Sequence, residues 1–328
     1  MKSKPFGKTG LTVSEVVLGG GFVGGILLNQ DEKIRNDAFN LAMKSGISWI
    51  DTAPSYGMTK SETNIGILLR ETKASPTVST KVAIDVKNIL SADDQIKRSV
   101  EESLTRLGQD RLALLNLHNP ITRDTESTDG FGNIGIPEML SAGGILDSLE
   151  QLKNTGVVEH IGITALGDTK CCHEVISTGR IDAAQIYYNM INSSAAFSSR
   201  KAILGQDFSG LIDACLANKV GIMAIRVFAA GVLASENRHG REILITENTT
   251  IAQEEQLTEK LLQTLNYDFQ SAANYGTRAE TALRFNLSNP NIDCTVVGLA
   301  EMSHLEQVIN AVKAGPLPDD ALKIITSL

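Results

Sequence analysis

Eight short apolar segments, each followed by a segment with helical periodicity, constrain the fold of this chain more than any other feature. The predicted strands span residues 14–18, 47–50, 77–81, 112–117, 158–163, 183–188, 220–225 and 294–297. They are short and apolar, which is typical of strands buried on both faces of a parallel sheet. Eight such units in 328 residues, with no linker between them, predict one α/β domain over residues 1–328, a (β/α)8 TIM barrel.

Two parts of the sequence do not fit the repeating units. Residues 5–13 predict two short extended pieces around Lys8-Thr9-Gly10, and residues 122–141 form a loop rich in Gly, Ser and Thr. A loop of that length is expected to be functional or mobile rather than a plain connection. Like the segment 226–270, it follows the end of a strand, so the predicted barrel has long loops at its C-terminal face.

Capping residues mark several helix boundaries. Asp31 is predicted to begin the first helix, and Gly46 is its natural end. Thr59 and Glu62 have capping-box spacing and predict a helix start just beyond the second strand. Gly108 is predicted to end the third helix, directly before the fourth strand. These signals separate neighbouring strands by one helix, as a barrel requires.

Charge and cysteine content exclude several classes of function. The net charge is −8, with Lys and Arg scattered along the chain, so nucleic acid is not an expected partner. Cys171, Cys172, Cys215 and Cys294 have no C-x-x-C spacing or zinc-type histidine pattern, so we expect free, buried thiols and no metal site. The N-terminus has no apolar stretch after its basic residues, and the weakly polar run 220–234 is too short to span a bilayer. We expect a cytoplasmic protein without membrane contact, as a monomer or small homo-oligomer.

A glycine-rich stretch is the main argument against the barrel. The sequence GGGFVG at residues 19–24 matches the G-x-G-x-x-G pattern of dinucleotide-binding folds, and Asp51 ends the second strand. In those folds the helix begins directly at the glycine loop, and the acidic residue follows about 20 residues later. Here the helix begins only at Asp31, and Asp51 lies well beyond that spacing. We interpret the glycines as a flexible first loop that brings backbone close to a ligand.

Four side chains of complementary chemistry follow the ends of three successive strands. Asp51 ends the second strand, Tyr56 lies in the turn after it, Lys81 ends the third strand, and His118 follows the fourth. A phenol is a poor acid at neutral pH, and a neighbouring ammonium favours its ionised form. A buried carboxylate would keep that ammonium charged, and an imidazole can orient a substrate oxygen. Together they suit proton transfer to or from a carbonyl or hydroxyl oxygen while a hydride moves at carbon.

These motifs resemble those of the aldo-keto reductases. The sequence DTAPSYG at residues 51–57, followed by Ser61-Glu62 and Gly66, matches the family signature, and FGKTGLTVS at residues 6–14 resembles the family's N-terminal β-hairpin. Further matching blocks are STK at 79–81, NLH at 116–118, IGIT at 161–164, Gln185 with Tyr188-Asn189, and AAGVL at 229–233. The resemblance implies a (β/α)8 barrel that binds NAD(P)(H) in extended form without a Rossmann domain.

The resemblance also implies a role for each candidate residue. Tyr56 would be the general acid/base, Lys81 and Asp51 would tune it, and His118 would orient the carbonyl. The residues expected to bind the cofactor are Gly20, Gly21, Thr164, Gln185, Arg226, Gly298, Glu301 and Gln307.

The cofactor positions match the family less uniformly than the catalytic ones. Thr164 and Gln185 match positions that hold the nicotinamide amide, while Ile225 stands where members often stack an aromatic ring. Many members also carry Lys or Arg near the last helix for the 2′-phosphate of NADPH. The sequence GLAEMSHLEQ at residues 298–307 has neither, and Val308 replaces the family's asparagine, so NAD is slightly favoured over NADP. The basic residues that could still reach the phosphate from a loop are Arg226, Arg238, Arg241 and Arg278.

The substrate class follows from two further blocks. IGITAL at residues 161–166 and TVVG at 295–298 look like the sugar 1-dehydrogenase branch, whose members oxidise aldoses such as L-galactose or L-fucose. A general aldehyde or ketone reductase using NADPH remains an alternative, because a likeness of fold does not fix a substrate. A channel-type accessory subunit would keep the fold without needing all four catalytic residues, and their presence argues against it. The expected partner is a small-molecule carbonyl or sugar.

Overall fold

The computed structural model describes residues 1–21, 25–128, 130–198, 202–236, 248–265 and 275–327. Within these ranges, eight parallel strands close into a barrel in which each strand pairs with its sequence neighbours and the last pairs with the first. The strands are β1 (Val16–Gly19), β2 (Trp49–Asp51), β3 (Thr77–Val82), β4 (Leu112–Leu117), β5 (Val158–Thr164), β6 (Ala183–Tyr187), β7 (Gly221–Ile225) and β8 (Cys294–Gly298). The predicted (β/α)8 barrel is confirmed, and every predicted strand overlaps the strand found.

The N-terminal end of the barrel is filled by apolar side chains. The strands Ser3–Pro5 and Thr12–Ser14 pair antiparallel and form the predicted hairpin. Just after the first of them, Phe6 is fully buried, and its ring meets that of Trp49 at 5.1 Å and 65°. The cluster at this end consists of Phe6, Val13, Val17, Trp49, Leu114, Ala183, Met223 and Cys294. This apolar floor leaves the opposite end of the barrel for polar chemistry.

Helices cover the outside of the barrel. They are α1 (Glu32–Lys44), α2 (Lys60–Thr72), α3 (Ala92–Leu107), α4 (Ile136–Leu140), α5 (Ile145–Asn154), α6 (Thr169–Ser177), α7 (Leu211–Ala217), α8 (Ile251–Thr264), α9 (Arg278–Leu287), α10 (Met302–Ala314) and α11 (Asp319–Ser327). The Asp31 side chain accepts a hydrogen bond from the Lys33 backbone N–H, which confirms the predicted start of α1. Gly108 ends α3 with φ +65, a conformation that favours glycine, as predicted.

The capping box predicted at the start of α2 is wrong. Thr59 has φ +70 and makes no side-chain hydrogen bond to the helix. Glu62 is fully buried instead, and its carboxylate accepts hydrogen bonds from Thr80 Oγ1 and Arg106 Nε, each at 2.6 Å. A hydrogen bond to a charged donor in a buried place is stronger than a surface cap. Glu62 therefore ties α2 to β3 and α3 rather than capping its own helix.

The loop predicted over residues 122–141 has more regular structure than expected. Its start, Ile121–Thr122, pairs with Ile134–Gly135, and α4 follows directly. This pairing brings the two ends of the intervening loop close together. Both ends of the loop therefore lie at one place on the C-terminal face. The helix predicted between residues 251 and 265 is found as α8.

Several sequence features lie partly or wholly outside the described residues. They include residues 22–24 of the glycine-rich stretch, the first part of the helix predicted from residue 271, and Arg238 and Arg241. After the glycines, the described chain forms a 3-10 turn at Ile26–Leu28 before α1, so no helix opens directly at the loop, as the barrel interpretation expects. Among the described helices, none combines the length and apolar character needed to cross a membrane. The same ranges contain no cluster of His, Cys, Asp and Glu suited to a metal ion.

Candidate active site

Three neighbouring strands bring the four candidate catalytic residues to one end of the barrel. Asp51 is the last residue of β2, Lys81 lies near the end of β3, and His118 directly follows β4. Tyr56 lies in the turn between β2 and α2, where its backbone N–H donates to the Ala53 carbonyl oxygen at 3.1 Å. Because parallel strands of a barrel end on the same side, these side chains converge on the C-terminal face.

Lys81 and Asp51 form an ion pair inside the barrel. Lys81 Nζ lies 2.5 Å from Asp51 Oδ2, and the two side chains are only 1% and 4% exposed. The same ammonium donates to the Thr52 carbonyl oxygen at 2.8 Å. Burial alone would lower the pKa of Lys81, but the charge of Asp51 and the nearby Tyr56 phenol outweigh it, and the pKa is raised. Lys81 is therefore a fixed positive charge at neutral pH.

The second carboxylate oxygen of Asp51 is held by neutral donors. Ser79 Oγ donates to Asp51 Oδ1 at 2.7 Å, and Gln185 Nε2 donates to the same oxygen at 3.0 Å. Trp49 Nε1 donates in turn to Ser79 Oγ at 3.0 Å. All four side chains are buried. Since both oxygens of Asp51 have partners, the cost of burying its charge is offset and its orientation is fixed.

The ring of Tyr56 lies between Lys81 and His118. Lys81 Nζ is 4.8 Å from the centre of the Tyr56 ring, and the Tyr56 and His118 rings meet edge to face at 5.8 Å and 83°. Tyr56 is partly exposed at the mouth of the barrel, so a substrate oxygen can reach it.

His118 is neutral in this environment. Burial lowers the pKa of the imidazole to about 3, and the charge of Lys81 acts in the same direction. A neutral imidazole has one N–H donor and one acceptor nitrogen. His118 can therefore donate a hydrogen bond to a carbonyl oxygen without carrying a charge of its own.

Four of the residues expected to bind the cofactor lie close to the candidate catalytic residues. The Gly20 backbone N–H donates to the Asp51 carbonyl oxygen at 2.8 Å, and a Cβ at Gly20 would lie 2.4 Å from a side-chain oxygen. Gly21 borders Tyr56, since a Cβ built there would be 3.7 Å from the ring. Thr164 Oγ1 lies 3.5 Å from Gln185 Oε1. The backbone of Gly21 beside the Tyr56 ring, with the hydroxyl of Thr164 and the amide of Gln185, suits a flat ring that carries an amide, such as nicotinamide.

Arg226 is placed at the mouth of the barrel by an unusual backbone conformation. It follows β7 directly with φ +61, which a residue with a Cβ seldom adopts. Asn189 Nδ2 and the Ala229 backbone N–H donate to its carbonyl oxygen at 3.1 and 2.9 Å. Burial lowers the pKa of the guanidinium, and the opposing charges that act on it include Tyr56 and Glu254. Residues held in such sparsely populated backbone conformations are concentrated at functional sites.

The remaining cofactor candidates lie at the end of β8 and on α10. Gly298 ends β8 and is exposed, and Glu301 is exposed directly before α10. Gln307 Oε1 accepts a hydrogen bond from Thr277 Oγ1 at 3.2 Å. These three residues therefore lie at the end of β8 and along the start of α10. The candidate catalytic residues lie elsewhere, at the ends of β2, β3 and β4.

Sequence reasoning missed several residues near the site. Ser79 donates a hydrogen bond to the Asp51 carboxylate, and its spacing of two from Lys81 on a strand is a signal that could have found it. Glu254, on α8, is a buried carboxyl whose pKa is raised to about 7 by burial. The Phe131 ring lies 5.7 Å from that of His118. No local pattern predicts the last two, because Glu254 lies on a helix inserted after β7 and Phe131 lies in the long loop after β4.

Both the sequence and the fold have known relatives. The model of the aldo/keto reductase family matches residues 15–328. A D-threo-aldose 1-dehydrogenase of Pseudomonas sp. is 27% identical over 263 residues, which cover 71% of this chain and 71% of the relative. An L-galactose dehydrogenase of Arabidopsis thaliana is 24% identical over 324 residues, which cover 94% of this chain and 87% of the relative.

Solved structures show the same architecture. The holo form of an aldo-keto reductase from Bacillus halodurans has a TM-score of 0.71 to this chain at 20% sequence identity. The likeness covers 100% of this chain and 96% of the other. Because the family model spans nearly all of the sequence and the barrel agrees with it, this chain belongs to the aldo/keto reductase family of oxidoreductases.

Proposed function

We propose that the protein is an NAD(P)(H)-dependent enzyme that interconverts a carbonyl and an alcohol, with Tyr56 as the general acid/base. The buried ion pair of Lys81 and Asp51 next to the Tyr56 ring carries this proposal. A buried ion pair is weak support for stability, because desolvation offsets its attraction. Placed beside a partly exposed phenol in the mouth of a barrel, it instead supports proton transfer at that phenol.

The chemistry of each side chain follows from its neighbours. In reduction, the Tyr56 phenol donates its proton to the carbonyl oxygen, and Lys81 stabilises the phenolate that remains. Asp51 holds the ammonium in place. Neutral His118 donates its N–H to the same carbonyl oxygen and orients it. In oxidation, the Tyr56 phenolate accepts the proton of the substrate hydroxyl. A bound nicotinamide would supply or accept the hydride at the substrate carbon.

The residues that would hold this cofactor run from the catalytic group to α10. Thr164 and Gln185 offer a hydroxyl and an amide to the nicotinamide amide, and the backbone of Gly21 lies beside the Tyr56 ring. The positive charge of Arg226 suits the cofactor phosphates. The residues assigned to the adenosine end are Gly298, Glu301 and Gln307.

The substrate we propose is an aldose, oxidised at C1. The relatives named D-threo-aldose 1-dehydrogenase and L-galactose dehydrogenase support this class, and both are named as dehydrogenases. Oxidation requires Tyr56 to accept a proton, and Lys81 Nζ lies 4.8 Å from the centre of the ring that would take up the negative charge.

A turnover screen tests the proposal. The purified protein is mixed with NAD+ or NADP+ and a panel of aldoses, and with NADH or NADPH and a panel of aldehydes and ketones, while the nicotinamide absorbance is followed. We expect oxidation of at least one aldose with NAD+. Turnover of aldehydes with NADPH alone would favour a general reductase. A protein that binds a cofactor yet turns over no substrate in either direction would contradict the enzymatic function.

A further inference from the structure

Glu254 is an acidic side chain that lies inside the protein, on the helix α8 inserted after β7. It is only 4% exposed, and its Oε2 atom is buried without a hydrogen-bond partner among the residues that the structure describes. In such a place an ionised carboxylate costs far more free energy than a protonated one. Burial therefore raises the pKa of Glu254 to about 7, and the charge of Arg226 acts in the opposite direction.

Arg226 links this buried carboxyl to the proposed active site. It directly follows β7 with φ +61 and is half-buried at the mouth of the barrel. The titratable groups whose charges act on it are Glu254, Tyr187 and Tyr56, the last of which is the proposed acid/base. An arginine stays protonated near neutral pH, so Glu254 is the member of this pair that can gain or lose a proton there.

An ion pair further along α8 fixes the position of Glu254. Glu259 Oε1 lies 2.5 Å from Nη2 of Arg278, the first residue of α9. Arg278 is only 5% exposed, and its Nη1 donates to the Val232 carbonyl oxygen at 3.2 Å. One buried guanidinium therefore holds α8 against the segment that follows Arg226. The buried carboxyl and Arg226 are thus kept near each other by the fold.

We infer that Glu254 is a positioning residue that holds Arg226 and takes up a proton from solvent when Arg226 binds the phosphates of the cofactor. This inference rests on the proposed function. The negative charge of the phosphates, once close to Arg226, also acts on Glu254 and disfavours its carboxylate. A protonated Glu254 leaves the whole charge of Arg226 to the phosphates. The affinity for the cofactor therefore falls as the pH rises, because the proton that binding requires becomes less available.

Titration with NADH between about pH 6 and about pH 8.5 tests the inference, because NADH has no 2′-phosphate that titrates in this range. Its fluorescence gives the dissociation constant for the wild type, Glu254→Gln and Glu255→Gln. We expect this constant to rise about threefold to tenfold in the wild type and to stay nearly constant in Glu254→Gln, whose amide does not titrate. Glu255 is the next residue on α8 and is only half-buried, so Glu255→Gln should keep the wild-type pH dependence.

A variant of the arginine tests whether Glu254 acts through it. Arg226→Gln removes the charge that opposes the effect of burial, so Glu254 should remain protonated over most of this pH range. We expect Arg226→Gln to bind NADH more weakly and without the pH dependence of the wild type. A pH dependence retained in either Arg226→Gln or Glu254→Gln would overturn the inference, since it would belong to another group.

Calorimetry of the wild type measures the proton itself, and it decides the question even if Glu254→Gln fails to fold. The heat of NADH binding is recorded at about pH 7.5 in two buffers with different heats of ionisation. We expect the uptake of on the order of half a proton for each NADH bound. Binding without proton uptake would show that Glu254 does not respond to the cofactor. A wild type that binds neither NADH nor NADPH contradicts the proposed function itself, and the inference with it.

Discussion

Gln185 Nε2 donates a hydrogen bond to Asp51 Oδ1 at 3.0 Å, across the barrel from β6 to β2. Its other amide atom, Oε1, lies 3.5 Å from Thr164 Oγ1. One side chain therefore contacts both a residue proposed to hold the nicotinamide amide and the carboxylate that pairs with Lys81. We therefore expect the proposed cofactor contact to be coupled, through this amide, to the charge arrangement beneath Tyr56.

Replacing Gln185 by Leu should weaken cofactor binding and slow turnover together. Loss of one buried donor to a carboxylate costs about 1–3 kcal/mol, so we expect kcat to fall on the order of tenfold. Ser79→Ala is the matched control, because it removes another donor to Asp51 Oδ1 but no contact with Thr164. Fluorescence titration of NAD+ should show weaker binding in Gln185→Leu than in Ser79→Ala. Equal affinities in the two variants would contradict the proposed contact with the cofactor.

Tyr56→Phe should abolish most turnover while leaving the cofactor bound. The substitution removes the transferable proton with little change in shape, and a lost general acid lowers the rate by roughly 10²–10⁴-fold. Tyr188→Phe makes the same chemical change in a buried ring that stacks on Phe285 at 5.4 Å, away from the proposed chemistry. Steady-state kinetics of both variants decide the assignment. Near-normal turnover in Tyr56→Phe would mean that another group transfers the proton.

Lys81→Met should both destabilise the protein and shift its pH profile. Asp51 would be left as a buried carboxylate without its cation, which costs about 3–5 kcal/mol. The double variant Asp51→Asn with Lys81→Met removes both charges and should lose less stability in urea unfolding. The pH optimum for oxidation should move upward in Lys81→Met, because the Tyr56 phenolate loses a stabilising cation. An intact pH profile with intact activity would show that Lys81 is not coupled to the phenol.

The sequence predicted the barrel and the catalytic cluster for the same physical reason. Strands buried on both faces are mainly apolar, so a charged residue such as Asp51 or Lys81 at the end of such a strand stands out in the sequence. Parallel strands then bring such ends together, and His118 joins them without any further signal. Local sequence patterns and the topology of the closed sheet are therefore enough to place these residues together.

Contacts between distant elements could not be predicted in this way. The capping-box spacing of Thr59 and Glu62 is a local signal, but Arg106, from another helix, takes the Glu62 carboxylate. The bond from Gln185 to Asp51 depends on which side chains face each other across the barrel. Phe131 meets His118 only because the path of a long loop is fixed by buried hydrogen bonds.

We expect NAD+ to bind at least as tightly as NADP+ at matched ionic strength. Glu301 and Glu306 are exposed at the start of α10, and the segment 298–307 contains no Lys or Arg. Arg278 is engaged with Glu259 at 2.5 Å. A 2′-phosphate needs a charge-assisted partner, whereas a free 2′-hydroxyl can donate to a carboxylate.

Dissociation constants from fluorescence titration measure this preference, and Glu301→Lys should move it toward NADP+. The matched control is Glu306→Lys, which adds the same charge further along α10. Wild-type protein that binds NADP+ about tenfold more tightly than NAD+ would show that a basic residue elsewhere contacts the phosphate. Arg238 and Arg241, outside the described residues, would then be the first candidates.

The low pKa of His118 makes a prediction about acid stability. Burial and the charge of Lys81 lower this pKa from its ordinary value of 6.5 to about 3 in the folded protein. Between these two values, the unfolded chain binds a proton at His118 that the folded chain does not. The free energy of unfolding therefore falls as the pH drops from about 6.5 toward about 3, and His118 adds no pH dependence above that window.

His118→Gln should remove this acid sensitivity, because an amide can donate a hydrogen bond but does not titrate. Urea unfolding of both proteins, at several pH values between about 7 and about 4.5, gives the difference in their free energies of unfolding. We expect the variant to gain stability relative to the wild type as the pH falls, since other acid-sensitive groups such as Glu254 are present in both and cancel. A difference that stays constant across this range would show that His118 takes up a proton equally in the folded and unfolded chain. The pKa of His118 would then not be lowered in the folded protein, and its neutrality at acidic pH would be wrong.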